Sequence, residues 1–116
     1  MTELNATISA ITEELSRDAQ NIMGDKLRKI ILYGSYARGD YKDYSDLDIM
    51  VLADVDEFEY KAFESEIDRT ASNIGLEHDI IVSVLLNNEA LFMSRLPISP
   101  FYRNVLSEGV EIYGTR

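Results

Sequence analysis

Gly34-Ser35-Tyr36-Ala37-Arg38-Gly39-Asp40, followed by Ser45-Asp46-Leu47-Asp48-Ile49, holds residue types suited to gripping phosphate and a divalent cation. Gly34 lets backbone approach a ligand without a Cβ in the way. Ser35 adds a hydroxyl donor next to it. A helix that starts here exposes unpaired N–H groups and the positive end of its dipole. Arg38, one turn on, offers a charged fork for a phosphate. Alone, a Gly-Ser pair is a plain turn; its weight comes from the two carboxylates downstream of it.

Asp46 and Asp48 are two positions apart, so on a strand they share a face, about 6–7 Å apart at roughly 3.3 Å per residue. Two carboxylates so placed repel each other, and each pKa is expected to rise unless a counter-charge is present. Mg²⁺ removes that penalty, because it binds through a few carboxylates together with phosphate oxygens and water. A pair of such ions about 3.5–4 Å apart can clamp the attacking and leaving oxygens of an in-line substitution at phosphorus. A third acid is expected from a neighbouring strand. Asp79, which opens the apolar run Ile80–Leu86, is first choice, and Glu77 is second. Asp40 and Asp43 read as loop-solvating acids. His78 is the sole histidine and has no partner that would make a catalytic triad.

The elements that must position these groups follow from periodicity. Leu4, Ile8, Ile11, Leu15, Ala19 and Ile22 recur at helical spacing, which predicts a helix over 3–23 with Thr2 as cap and Gly24 as terminator. Lys29–Tyr33 reads as a strand, Ser35–Arg38 as a short helical turn and Gly39–Tyr44 as a loop. Asp48–Leu52 is apolar at almost every later position, as expected for a strand covered on both faces. Phe58, Ala62, Phe63, Ile67, Ala71 and Ile74 predict a helix from 57 to 74, ended by Gly75. A third strand is expected over 79–86. Then come a helical turn over 89–96 interrupted by Pro97 and Pro100, a helix over 102–107 and a small edge strand over 109–113. The expected fold class is α/β, a small mixed sheet flanked by helices in a single domain spanning 1–116.

Composition narrows the setting. The chain has 116 residues, 46% of them hydrophobic, with no cysteine and a formal net charge of -10. The length fits one domain and leaves no room for a separate substrate domain. No apolar run reaches the roughly 18–20 residues of a membrane span, and Met1–Ala10 lacks the features of a signal peptide. A cytoplasmic protein is expected. The acidity argues against extended nucleic-acid binding, which needs Lys and Arg to neutralise phosphates.

Gly34-Ser35-x-Ala37-Arg38-Gly39 with Ser45-Asp46-x-Asp48 resembles the nucleotidyltransferase motif of the DNA polymerase β superfamily, and the short length resembles its minimal stand-alone members. That resemblance implies Mg²⁺-dependent transfer of a nucleoside monophosphate, from ATP or another NTP, to a hydroxyl. By matched position, Gly34 and Ser35 would hold the triphosphate, with Arg38 nearby. Asp46 and Asp48 would bind two metal ions, and Asp79 the catalytic one. Many minimal members resemble antitoxins that neutralise a HEPN-family toxin, some by adding AMP to a toxin tyrosine. The resemblance thus implies a HEPN-family protein partner. The alternatives are a catalytically silent module that acts by contact and a small-molecule nucleotidyltransferase that completes its site as a homo-oligomer.

Overall fold

The computed structural model describes residues 3–115; Thr2, expected as a cap, and the side chain of Leu4 lie outside the described residues. Helix α1 (Glu3–Met23) turns its apolar stripe inward, burying Ile11, Leu15 and Ala19 completely. Gly24, at φ 55°, opens a short 3-10 turn, Gly24–Lys26, which leads into strand β1 (Leu27–Tyr33). The one-turn helix α2 (Ser35–Arg38) and a loop connect to β2 (Leu47–Ala53). Helix α3 (Glu57–His78) returns the chain to β3 (Val82–Asn88). Two helices, α4 (Glu89–Arg95) and α5 (Pro100–Glu108), precede β4 (Val110–Gly114).

The four strands form one mixed sheet in the order β3-β2-β1-β4. β1 runs antiparallel to both β2 and β4, while β2 and β3 are parallel and joined through α3. The fold is therefore α/β with a small mixed sheet, as the element order anticipates.

Alternation along the strands sends the two sets of side chains into different layers. Ile30, Leu32, Leu47, Ile49, Val51 and Val82 pack with α1 and α3 residues such as Leu15, Ile67 and Ala71. Ile31, Met50 and Leu52 point the other way and meet Phe92 and Val105 of α4 and α5. β2 is one of the two inner strands of the sheet and is buried on both faces apart from Asp48, which is only half-buried.

Capping explains several boundaries. The Asp56 side chain accepts from the backbone N–H groups of Phe58 and Glu59, while Glu59 accepts from that of Asp56, which makes a reciprocal box at the start of α3. Asn88 and Ser99 cap α4 and α5. Pro100 stands at the first position of α5, where a missing N–H costs nothing, so it starts that helix rather than interrupting one.

Two expected boundaries are corrected. Gly75 does not end α3, which continues to His78. It lies inside the helix because a Cβ there would run into the backbone carbonyl of Ile80, so glycine permits the close return of the chain. The helix stops instead at Asp79, which adopts the left-handed conformation at φ 56°. β3 consequently begins at Val82, three residues after the expected start at Asp79. Among the described residues, no helix is long and apolar enough to cross a membrane.

Candidate active site

The site forms where β1 ends and β2 begins. Because β1 and β2 are antiparallel, Tyr33 stands directly across from Asp48. Gly34 then turns the chain at φ 78°, and an added Cβ would collide with Asp48 Oδ2. Glycine is thus required twice over, for its backbone angle and for the close approach of turn to carboxylate. Arg38 and Gly39 donate their N–H groups to Gly34 and Ser35 carbonyls at 3.1 and 2.9 Å, closing the single turn of α2.

Asp48 projects on the α4/α5 side of the sheet, opposite to Leu47 and Ile49, which are fully buried in the larger core. Its carboxyl is held above the ordinary value, first by burial and second by the neighbouring Asp46; Arg38 pulls weakly the other way. Asp46 is exposed and sits one residue before β2. The repulsion expected between the two shows at Asp48, as the second cause of its raised pKa. The Tyr33 phenol is pushed up to about 12 by burial and by Asp48, so it stays protonated and remains a donor at working pH.

A cavity of about 450 Å³ joins Tyr33, Gly34, Ser35, Arg38 and Asp48 to Phe101, Asn104, Val105 and Glu108. That volume falls in the usual range for small-molecule sites, roughly 300–1,000 Å³. The turn, the arginine and one aspartate therefore share a hollow, with the second aspartate alongside. Arg38 is already engaged: its Nε donates to Asp40 Oδ2 at 3.2 Å and its Nη1 to Glu108 Oε2 at 3.4 Å. Both pairs are exposed and individually weak, so the guanidinium can exchange them for a phosphate. Asp40, expected only to solvate its loop, is one of the two acids that orient Arg38.

Asp79 does not join the pair. It caps α3 and lines a separate, largely apolar hollow with Ser72, Leu76 and Ile81. In register, the β3 neighbour of Asp48 is Ser83, and the carbonyl of Ile81 accepts from Leu47 N–H at 2.8 Å. A third carboxylate on β3 next to Asp48 would have to occupy the place of Ser83. The three aspartates do not gather their oxygens within 4.8 Å of one another. Among the described residues, that closeness belongs to Glu14, Glu77 and His78, where α1 meets the end of α3. His78 Nε2 lies 3.8 Å from Glu14 Oε2 there, so His78 and Glu77 belong to helix packing rather than to the Asp48 cavity.

Tyr33 and the α5 residues Phe101, Asn104 and Glu108 are not singled out by the sequence. The one available signal is their spacing, since 101, 104, 105 and 108 fall on a single helical face. That mixed face, with Asn104 and Glu108 beside Phe101 and Val105, acquires a meaning only once β1 is known to lie against it.

The sequence profile of the nucleotidyltransferase domain matches residues 8–112. Two Methanocaldococcus jannaschii proteins, each named "Putative protein adenylyltransferase" (MJ0604 and MJ0141), are similar. The first is 40% identical over 88 residues, covering 76% of this chain and 80% of that protein. The second is 35% identical over 105 residues, covering 90% and 98%. Among solved structures, a toxin-antitoxin complex with AMP-PNP contains a chain that matches with TM-score 0.54 and 23% identity, over 90% of this chain and 74% of that one. A complex of tri-AMPylated Shewanella oneidensis HEPN toxin with MNT antitoxin matches with TM-score 0.50 and 21% identity, over 92% and 73%. At those identities the structures speak for the fold, which they share. With the profile spanning nearly the whole chain, the protein belongs to the nucleotidyltransferase domain family.

Proposed function

We propose that this nucleotidyltransferase moves AMP from ATP to a tyrosine hydroxyl of a HEPN-type toxin partner and so acts as its antitoxin. The observation that carries the reading is the Gly34–Ser35 turn pressed against the half-buried Asp48, in one cavity with Arg38. The adenylyltransferase names of the relatives favour AMP and a protein acceptor. The toxin-antitoxin neighbours favour a HEPN partner.

Asp46 and Asp48 fit a Mg²⁺ seat, since burial and the neighbouring Asp46 disfavour the ionised Asp48 carboxyl, and a bound cation would remove that penalty. Bound there, up to two Mg²⁺ ions would neutralise charge on the triphosphate and on the departing pyrophosphate. The chain's own groups do the rest. Backbone N–H groups of the turn and the Ser35 hydroxyl orient the phosphates. Arg38 leaves Glu108 to meet developing charge on an outer phosphate. The Tyr33 phenol, still protonated, donates a hydrogen bond into the cavity. The acceptor hydroxyl oxygen bonds to the α-phosphorus, the bridge to the β-phosphate breaks, pyrophosphate leaves and the hydroxyl proton is released.

Asp79 is the acid that the family resemblance would add as third ligand. Its place as the cap of α3 supports a structural part instead. The same observation favours a second reading, neutralisation by contact without transfer.

The deciding experiment incubates the protein with the HEPN-type product of a neighbouring gene, α-labelled ATP and Mg²⁺. Label on a partner tyrosine, absent with Asp46→Asn/Asp48→Asn, is the expected result. Neutralisation that persists in that double variant, with no label transferred, would establish the contact reading.

A further inference from the structure

The cavity is lined by two chemically different groups of residues. Gly34, Ser35, Arg38 and Asp48 make a polar group suited to phosphates. The other is one face of α5, where Phe101, Asn104, Val105 and Glu108 fall at positions i, i+3, i+4 and i+7. In a helix whose task is only to close a core, this stripe is apolar. Here only Val105 fits that pattern, being 1% exposed against Ile31, Met50, Leu52 and Phe92.

Phe101 lies one turn earlier, yet its large side chain stays 44% exposed. Its ring stands at 78° to that of Tyr33, with centroids 5.7 Å apart, and at 50° to that of Tyr102, 5.8 Å away, and the remaining surface is open. Asn104 is exposed, and among the described residues its side-chain amide has no hydrogen-bond partner within the chain. An uncovered aromatic surface beside an unpaired carboxamide, on the wall of a triphosphate cavity, is the equipment that binds a nucleobase: a π-surface for stacking and a donor-acceptor pair for the polar edge.

We propose that the α5 wall is the nucleoside seat of this enzyme, with the base against Phe101 and its edge read by Asn104, and that the seat favours adenine. The preference follows from the carboxamide. Asparagine pairs its acceptor and its donor with the adenine N6 amino group and N7. Guanine offers two acceptors, O6 and N7, along the same edge, which leaves the carboxamide oxygen facing an acceptor. Val105 and Tyr33 give the base a dry floor, and the Arg38–Glu108 pair joins the two groups of lining residues. The proposal rests on the assignment of the turn and aspartates to the triphosphate, and the test separates the two.

The test measures equilibrium binding in Mg²⁺ of inorganic tripolyphosphate and of the non-hydrolysable α,β-methylene analogues of ATP and GTP. The wild-type protein is expected to bind the ATP analogue about 10-fold or more tighter than tripolyphosphate, and tighter than the GTP analogue. Phe101→Leu, which keeps an apolar side chain beside Tyr33, is expected to lose most of that gain. Asn104→Leu, close in size but without donor or acceptor, is expected to erase the adenine preference. Neither variant should change tripolyphosphate affinity, whereas Asp48→Asn should weaken both ligands. Thermal melting confirms that each variant is folded. Equal affinity of the wild type for tripolyphosphate and the ATP analogue would overturn the nucleoside seat and leave the phosphate assignment standing. So would α5 variants indistinguishable from wild type. Binding of neither ligand would overturn both.

Discussion

Among the described residues, the α1/α3 face of the sheet is filled by seventeen buried residues, from Ile11 and Leu15 to Val82 and Leu86, while the α4/α5 face is closed by five: Ile31, Met50, Leu52, Phe92 and Val105. The first face is a dry interior with its apolar stripes matched. The second face is thin, and where it thins out Tyr33, Asp48, Phe101 and Asn104 border an open cavity. β2 belongs to both layers, with Ile49 and Val51 on one side and Asp48, Met50 and Leu52 on the other. On the proposed function, stability and chemistry thus fall to opposite sides of the same strand. The well-packed face holds the backbone rigid, so a half-buried acid with a raised pKa can be tolerated on the other.

That division can be broken most forcefully at the acids. Asp46→Asn with Asp48→Asn is expected to cut AMP transfer by about 10³-fold or more, since several kcal/mol of charge stabilisation are lost, while the melting temperature does not fall. Label transfer and thermal melting on the same preparation read both. If transfer survives, the thin face is not where chemistry happens. The mirror-image change is Leu15→Ala on the other face. Removing that fully buried side chain should cost about 2–5 kcal/mol of stability by denaturant titration, yet leave activity per folded molecule within about 2-fold. Loss of activity without loss of stability would contradict the division.

How far the sequence reaches can be judged at single residues. The turn at Gly34, the stripe of α1 and the doubly covered β2 are legible because each depends on local spacing. The start of β3 is not. Ile80 and Ile81 extend an apolar run, and nothing local says that Asp79 adopts a left-handed conformation and keeps them outside the strand. Gly75 misleads for a related reason: a helical glycine usually ends a helix, but here it admits the carbonyl of Ile80. The α5 wall is illegible because its meaning depends on β1, about seventy positions away, and the Arg38–Glu108 pair spans that same separation.

Gly34→Ala sharpens the link between backbone and acid. The new Cβ meets Asp48 and the backbone angle is strained, so stability should fall by about 1–3 kcal/mol and Mg²⁺-dependent nucleotide binding should drop sharply. Denaturant titration and calorimetry test the two arms. If binding is unchanged, the close approach of turn to carboxylate is incidental.

Asp48 carries a pH signature. Its pKa is higher in the folded protein than in the unfolded chain, so the folded state takes up the proton more readily, and the destabilising contribution of this group is present above its folded pKa and relieved as pH falls through it. In metal-free buffer, Asp48→Asn should therefore melt a few degrees higher than wild type at pH 7, with the gap closing as pH approaches the carboxylate range. A variant that melts lower at pH 7 would show that the charge is compensated in the free protein.

The smallest effect is expected at Asp79. As a helix cap outside the cavity, Asp79→Asn should keep the left-handed cap, which asparagine also tolerates, and change AMP transfer by less than about 3-fold. A loss comparable to that at Asp46 and Asp48 would mean that Asp79 reaches the metal seat during turnover.

The seating of a metal-bound triphosphate between the Gly34–Ser35 turn and the pair Asp46 and Asp48 is tested most directly by calorimetric titration of a non-hydrolysable ATP analogue, with and without Mg²⁺. Saturable binding that requires Mg²⁺ and vanishes in Asp46→Asn/Asp48→Asn is the predicted result. Binding that ignores both the metal and the two substitutions, or no binding by the folded wild-type protein, would contradict it.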